Sequence, residues 1–126
     1  MRTDENRSAW LGEAPPYEPL PALRGAISAD VAIIGGGITG VSTAWHLAER
    51  FPDRRIVLLE AKALAHGASG RNGGQVLNGI NGVEPRDGAL AGRVFAATHA
   101  GIEIVADLAA RSTIDCGFTR RGCLEV

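Results

Sequence analysis

Three glycines within residues 35–40 (GGGITG) have the G-x-G-x-x-G spacing of a phosphate-binding turn, and they are Gly35, Gly37 and Gly40. The first permits a tight exit from a strand, the second leaves no Cβ where a diphosphate approaches the backbone, and the third lets the next helix lie close to the strand. Ile38 and Thr39 begin that helix, so their N–H groups have no intrahelical acceptor and lie at the positive end of the helix dipole. These residues are therefore predicted to bind a diphosphate.

An acidic residue, Glu60, stands twenty residues beyond Gly40, at the predicted carboxyl end of a second strand. A carboxylate at that position can accept hydrogen bonds from both ribose hydroxyls of an adenosine, and it repels a 2′-phosphate, so NADP is disfavoured. The alternative is a glycine-rich turn of another α/β fold with an incidental glutamate. The combination of strand, turn, helix and acid favours a dinucleotide site.

Two apolar runs without polar alternation, residues 30–34 (DVAII) and 56–59 (IVLL), predict strands buried on both faces of a parallel sheet. Between them, a helix is predicted from Ile38 to about Phe51, because apolar residues recur every three or four positions: Val41, Ala44, Trp45, Ala48 and Phe51. The predicted fold class is therefore α/β, with a Rossmann-like βαβ unit.

The flanking segments predict an arm and a long helix. Residues 1–28 are expected to form an extended arm because residues 14–21 (APPYEPLP) contain four prolines, and Trp10, Tyr17 and Leu20 are expected to fix the arm to a surface. A long amphipathic helix is predicted from residue 84 to about residue 110, with Asp87 as a possible cap. Residues 123–126 have the pattern of a strand that is just beginning.

A second cluster of glycines and asparagines follows the acidic strand, at residues 67–82. The interleaved Arg71, Asn72 and Gln75 favour a structured loop over a flexible linker. Its many backbone amides suit more phosphate, a ribityl chain or a flavin ring edge, which favours FAD over NAD.

Together, residues 29–40 (ADVAIIGGGITG), 59–61 (LEA) and 67–75 (GASGRNGGQ) resemble the FAD-dependent D-amino acid oxidase family, most closely its gamma-glutamylputrescine oxidoreductase branch. The arm and residues 114–116 (IDC) also resemble that branch. The resemblance covers nearly all of the chain but only about the first third of such an enzyme. It implies that residues 29–126 are the N-terminal part of an FAD-binding domain, with no substrate domain in this chain.

The resemblance also implies roles for individual residues. Gly35, Gly37, Ile38 and Thr39 would hold the pyrophosphate, and Glu60 would hold the adenosine ribose. Gly40 and Ala61 would be further cofactor-binding residues. The residues along the flavin side of the cofactor would be Ser69, Arg71, Asn72, Gly73 and Gly74. Arg71 stands where relatives with covalent flavin have a histidine, so non-covalent FAD is implied.

The implied reaction is the oxidation of a small-molecule amine or amino acid. A hydride would pass from the carbon that bears nitrogen to flavin, giving an imine that water hydrolyses. No residue of this chain is predicted to be catalytic. An NAD-linked dehydrogenase or reductase, and a non-catalytic nucleotide-binding module, remain the alternatives.

Composition narrows the class of protein. Thirteen basic and fourteen acidic residues give a net charge of -1, which argues against a nucleic-acid partner. The apolar runs are too short for a membrane span, and no metal site is predicted. With a polar N-terminus and two cysteines expected to be reduced and semi-buried, the protein is expected to be cytoplasmic.

Two strands with so few covering elements predict an incomplete domain that is inactive alone. The oligomeric state stays open.

Overall fold

The computed structural model of the chain describes residues 8–14, 17–80, 86–113 and 115–122. These residues form two units, divided between Gly73 and Gly74. The elements of the first unit are the helix α1 (Ala9–Glu13), the strand β1 (Val31–Ile34), the helix α2 (Ile38–Arg50), the strand β2 (Ile56–Leu59) and a 3₁₀ turn (Ala68–Gly70). The second unit contains the helix α3 (Gly88–Arg111).

The first unit is built on a βαβ arrangement. Strands β1 and β2 pair in parallel, from Val31 opposite Ile56 to Ile34 opposite Leu59, and α2 connects them. Helix α2 packs against both strands. The predicted α/β class and βαβ unit are therefore confirmed, and the arrangement is consistent with a Rossmann-like unit.

The expectation that both strands are buried on both faces is wrong for β1. Val31 and Ile33 are half-buried, whereas Ala32 and Ile34 are exposed, with Ile34 at 88%. Alternate side chains of a strand point to opposite faces, so one face of β1 is covered and the other is open in the part of the chain that the structure describes. Of the predicted apolar face of α2, Ala44 is half-buried, and the exposed residues are Val41, Trp45, Ala48 and Phe51. Gly40 and Leu47 are half-buried as well.

The N-terminal arm differs from the expected extended chain in its first described residues. Ser8 caps α1, because its side-chain oxygen accepts a hydrogen bond from the N–H of Leu11 at 3.2 Å. One helical turn therefore forms before the proline-rich stretch begins. Residues 17–28 contain neither helix nor strand, as expected. Tyr17 and Leu20, both expected to anchor the arm, are exposed.

In the second unit, α3 confirms the predicted long helix. The carboxylate of Asp87 accepts a hydrogen bond from the N–H of Ala89 at 2.8 Å, so the predicted cap is also confirmed. The predicted helix start at residue 84 and the predicted strand at residues 123–126 lie outside the described residues.

Helix α3 is, among the described helices, the one with the length and composition to cross a membrane: it has 24 residues and a mean hydropathy of 1.2 over its most apolar window. This is weak evidence, because helices of soluble proteins meet the same criterion. Its ion pair between Arg111 and Asp107, at 2.6 Å, and the contact between His99 Nε2 and the carboxylate of Glu103, at 3.4 Å, suit a helix with one polar face. The absence of a membrane span therefore stays a prediction.

Candidate functional site

The glycine turn (residues 35–37) connects β1 to α2 with geometry that only glycine permits. Gly35 has a φ of 102°, a conformation that strongly favours glycine. A Cβ on Gly40 would collide with the backbone carbonyl oxygen of Gly35 and would lie 3.4 Å from the side chain of Leu58. The sequence-based reasons given for glycine at positions 35 and 40 therefore match the geometry.

The start of α2 presents free backbone N–H groups. The first hydrogen bond within the helix joins the N–H of Val41 to the carbonyl of Gly37 at 3.0 Å. The N–H of Ile38, predicted to bind the diphosphate, instead donates to Ser69 Oγ at 2.8 Å, whereas the N–H groups of Thr39 and Gly40 have no acceptor among the described residues. This geometry suits a diphosphate, whose oxygens could accept both hydrogen bonds.

Glu60 lies directly at the glycine turn. Its Oε2 accepts a hydrogen bond from the N–H of Gly36 at 2.7 Å, and its Oε1 accepts one from the N–H of Lys62 at 2.9 Å. These two hydrogen bonds stabilise the ionised carboxylate, the one from Gly36 more than the one from Lys62. They therefore hold the pKa of Glu60 below its usual range. Glu60 is thus an ionised carboxylate at the bend, and each oxygen keeps a further acceptor position for a ribose hydroxyl.

The second loop (residues 60–73) is joined to the glycine turn and α2 by three hydrogen bonds. Besides the bond between Gly36 and Glu60, the N–H of Ala65 donates to the carbonyl of Gly36 at 2.9 Å, and the N–H of Ile38 donates to Ser69 Oγ at 2.8 Å. The backbone here is tightly folded, since a Cβ on Gly70 would collide with the carbonyl oxygen of Ala65. The prediction of a structured loop at residues 67–82 is therefore confirmed for its first part, residues 67–73.

The remaining predicted site residues lie at the end of this loop or just beyond it. Arg71 donates from Nε to the carbonyl of His66 at 3.1 Å, so it orders the loop. Asn72 donates from Nδ2 to the carbonyl of Ser69 at 2.9 Å. Gly73 ends the first unit, and Gly74, with a φ of 70°, begins the second. Contacts of these four residues with a cofactor stay a prediction.

Gly36 is a site residue that the sequence reasoning missed. Both of its backbone polar groups bond to the second loop, and the residue is buried. A Cβ at this position would lie 2.6 Å from Leu64 Cδ2 and 3.2 Å from Glu60 Oε2. The run of three consecutive glycines was the available signal. The sequence reasoning also missed Lys62, which lies two residues after Glu60. Its Nζ is 3.5 Å from Nε2 of His66.

The second unit has an open cavity of about 460 Å³ beside the end of α3, lined by residues such as Ala109, Asp115, Cys116 and Phe118. None of the predicted cofactor residues lines it. Cys116 is free and exposed, whereas a half-buried thiol had been expected, and Cys123 lies outside the described residues. In the described residues no group of three His, Cys, Asp or Glu side chains forms a metal site.

The glycine turn, the free N–H groups of α2 and the adjacent carboxylate fit the diphosphate and ribose of a dinucleotide, and the sequence matches one family of such proteins. Residues 30–126 match the family described as FAD dependent oxidoreductase, or DAO. The chain belongs to this family, as the resemblance had indicated. The cofactor is therefore FAD.

Individual relatives agree with this assignment. Gamma-glutamylputrescine oxidoreductase of Escherichia coli is 38% identical over 125 residues, which is 95% of this chain and 29% of that protein. The probable oxidoreductase OrdL of Rhizobium meliloti is 46% identical over 68 residues, or 53% of the chain and 15% of that protein. L-2-hydroxyglutarate dehydrogenase of Escherichia coli is 48% identical over 52 residues, which is 40% of this chain and 12% of that protein. The chain thus spans less than a third of each of these relatives, and no solved structure matches it significantly.

Proposed function

We propose that this chain holds FAD, without a covalent bond, for an oxidoreductase that acts on an amine or amino acid. The observation that carries the proposal is the contact of the Glu60 carboxylate with the N–H of Gly36, which brings a ribose acceptor to a diphosphate-binding turn. Family membership favours FAD over the NAD-linked alternative. Relatives that are oxidoreductases favour an enzyme over a non-catalytic nucleotide-binding module.

The proposed residue roles follow the geometry of the first unit. The N–H groups of Thr39 and Gly40 bind diphosphate oxygens, and Glu60 accepts hydrogen bonds from the ribose hydroxyls. Ser69 has a hydroxyl that accepts from the N–H of Ile38 and remains able to donate to a phosphate oxygen. Arg71 keeps the second loop in shape through the carbonyl of His66.

The substrate class rests on the relative that covers most of the chain, whose name contains the diamine putrescine. When bound, FAD supplies the two-electron acceptor for oxidation of a C–N bond to an imine, which water then hydrolyses to a carbonyl compound. This chain's own residues bind and orient the cofactor, and none of them is proposed as a catalytic residue. The chain spans 29% of that relative, so the substrate pocket is not assigned to these residues.

The test uses the full-length protein. We expect it to purify with bound flavin that acid denaturation releases as intact FAD, and we expect amines or amino acids to bleach the flavin spectrum under anaerobic conditions. Bound NAD, a flavin that stays with the denatured chain, or no bleaching by any amine or amino acid would each contradict a part of the proposal. The bleaching assay does not depend on the identity of the final electron acceptor.

A pair of variants tests the site itself. Glu60→Gln removes the charge from the ribose acceptor and is expected to raise the Kd for FAD about tenfold or more, because hydrogen bonds to charged groups are the stronger ones. Glu49→Gln makes the same change on an exposed position of α2 and is expected to leave the Kd unchanged. Equal effects of the two variants would argue against the proposed role of Glu60.

A further inference from the structure

The N-terminal helix α1 contacts the second loop through two side chains. The indole Nε1 of Trp10 donates a hydrogen bond to the backbone carbonyl of Asn72 at 2.7 Å. The hydroxyl of Ser8 donates to the backbone carbonyl of Gly70 while it caps α1. A segment that precedes β1 by about twenty residues thus binds two carbonyls of the loop that is predicted to lie along the flavin.

The contact between Ser8 and Gly70 is one of the few buried places in the described part of the chain. Ser8 is 7% exposed, and it is the one buried side chain among the described residues apart from glycines. Gly70, its partner, is also buried and has no room for a Cβ against the carbonyl of Ala65. Burial on both sides distinguishes the contact of Ser8 with Gly70 from an incidental contact between an arm and a surface, whereas the contact of Trp10 with Asn72 is exposed.

The hydrogen bond from Trp10 fixes the direction of a peptide unit. The carbonyl of Asn72 and the N–H of Gly73 belong to the same planar trans peptide, so they point in opposite directions. Because the carbonyl faces the indole, the N–H of Gly73 faces away from α1. This N–H has no acceptor among the described residues.

The part of the second loop that lies nearer the glycine turn is held by hydrogen bonds that do not involve α1. Ser69 accepts from the N–H of Ile38 at 2.8 Å, and Glu60 accepts from the N–H of Gly36 at 2.7 Å. These bonds fix the part of the loop next to the diphosphate and adenosine positions. The peptide between Asn72 and Gly73 is contacted by α1 through the indole of Trp10, while the side chain of Asn72 also donates to the carbonyl of Ser69.

We propose that Trp10 is a positioning residue for FAD, which aims the N–H of Gly73 at the flavin half of the cofactor. The proposal rests on the proposed function of the chain as an FAD-binding unit. It assigns to α1 a role in cofactor binding that neither the glycine turn nor Glu60 performs. Trp10 acts through the loop and does not itself touch the cofactor.

The test compares FAD with ADP, which lacks the flavin half, on the full-length apoprotein. Trp10→Phe keeps an aromatic ring but removes the N–H donor. We expect it to raise the Kd for FAD about three- to tenfold, the usual effect of losing one hydrogen bond, and to change the Kd for ADP less than about twofold. The control Trp45→Phe removes an indole N–H from α2 at a similar exposure, 45% against 48%, and is expected to change neither Kd.

Each other outcome has a distinct meaning. A purely structural role of Trp10 would weaken FAD and ADP binding equally and lower the unfolding temperature of the apoprotein, and this result would overturn the proposal. Unchanged FAD binding in Trp10→Phe would overturn it as well. Wild-type protein that binds ADP but no FAD would instead contradict the proposed function, so the two failures can be told apart.

Discussion

Ser69 Oγ accepts a hydrogen bond from the backbone N–H of Ile38 at 2.8 Å. A hydroxyl of the second loop is therefore the acceptor for the first N–H of α2, which has no acceptor within the helix. The contact joins the two glycine clusters at the position predicted for the diphosphate. It leaves the N–H groups of Thr39 and Gly40 available, and the serine hydroxyl still has its own proton to donate. The hydroxyl therefore has two tasks, to hold the loop and to face the phosphate.

The first prediction concerns this serine. Ser69→Ala removes the acceptor for Ile38 and the donor for a phosphate oxygen, and we expect the Kd for FAD to rise about three- to thirtyfold. Ser42→Ala, at an exposed position of α2, is the matched control and is expected to have no effect. Titration of apoprotein with FAD, followed by flavin fluorescence, measures both. A Kd for Ser69→Ala equal to that of the control would contradict the role given to Ser69.

The second prediction concerns the contact between α2 and β1. Gly40→Ala places a Cβ against the backbone carbonyl of Gly35, which cannot move aside as a flexible side chain would. We expect a loss of about 1–3 kcal/mol or more in the free energy of unfolding. Urea denaturation of apoprotein measures this change without a contribution from cofactor binding.

A second helical glycine provides the control for that experiment. Gly101 lies within α3, and a Cβ there would meet nothing within 4 Å. Gly101→Ala is therefore expected to raise the free energy of unfolding by about 0.5–1 kcal/mol, since alanine has the higher helix propensity. Equal destabilisation by both substitutions would show that the loss of stability in Gly40→Ala does not come from the close approach of Gly40 to the carbonyl of Gly35.

The third prediction concerns Asp30, which joins the start of β1 to the turn before β2. Its Oδ2 accepts from the N–H of Arg55 at 2.8 Å, and its Oδ1 pairs with the guanidinium of Arg54 at 3.1 Å. The ion pair is solvent-exposed and contributes little to the stability of the fold. The hydrogen bond from the N–H of Arg55 therefore contributes more. Asp30→Ala should lower the unfolding temperature, whereas Asp53→Ala, in the same turn, should not. High salt should leave this difference largely intact, which a thermal scan at two salt concentrations would check.

The positions of β1, α2 and β2 could be predicted from the sequence because local signals define them. Apolar runs, the glycines after β1 and Pro52 after α2 place each boundary within one or two residues. The placement of Glu60 beside the glycine turn was equally predictable, since parallel strands bring their carboxyl ends to the same edge of a sheet.

Other features depend on contacts between distant residues and could not be predicted. The exposure of Ile34 depends on what covers the sheet, which a run of four apolar residues does not specify. The role of Gly36 depends on the path of the second loop, and the contact of Trp10 with Asn72 joins residues 62 positions apart. Helix α1 was missed for a local reason, because the arm was interpreted from its prolines and the capping residue Ser8 was not considered.

The fourth prediction concerns the pH dependence of cofactor binding. Hydrogen bonds from Gly36 and Lys62 lower the pKa of Glu60 in the folded chain relative to the unfolded chain. A carboxyl with a lowered folded-state pKa stabilises the fold above its unfolded-state pKa, and this contribution is lost as the pH falls through the folded-state pKa. We therefore expect FAD affinity and loop stability to be constant near neutral pH and to decrease below the usual glutamate range.

Glu60→Gln provides the comparison, because a glutamine has no proton to gain in this range. The variant should bind FAD more weakly at neutral pH, and the difference from wild type should narrow as the pH falls and Glu60 becomes protonated. Kd values for FAD at a series of pH values, with Glu49→Gln as the control, measure this convergence. A constant ratio of the two Kd values down to the acid limit of folding would mean that the charge on Glu60 does not contribute to FAD binding.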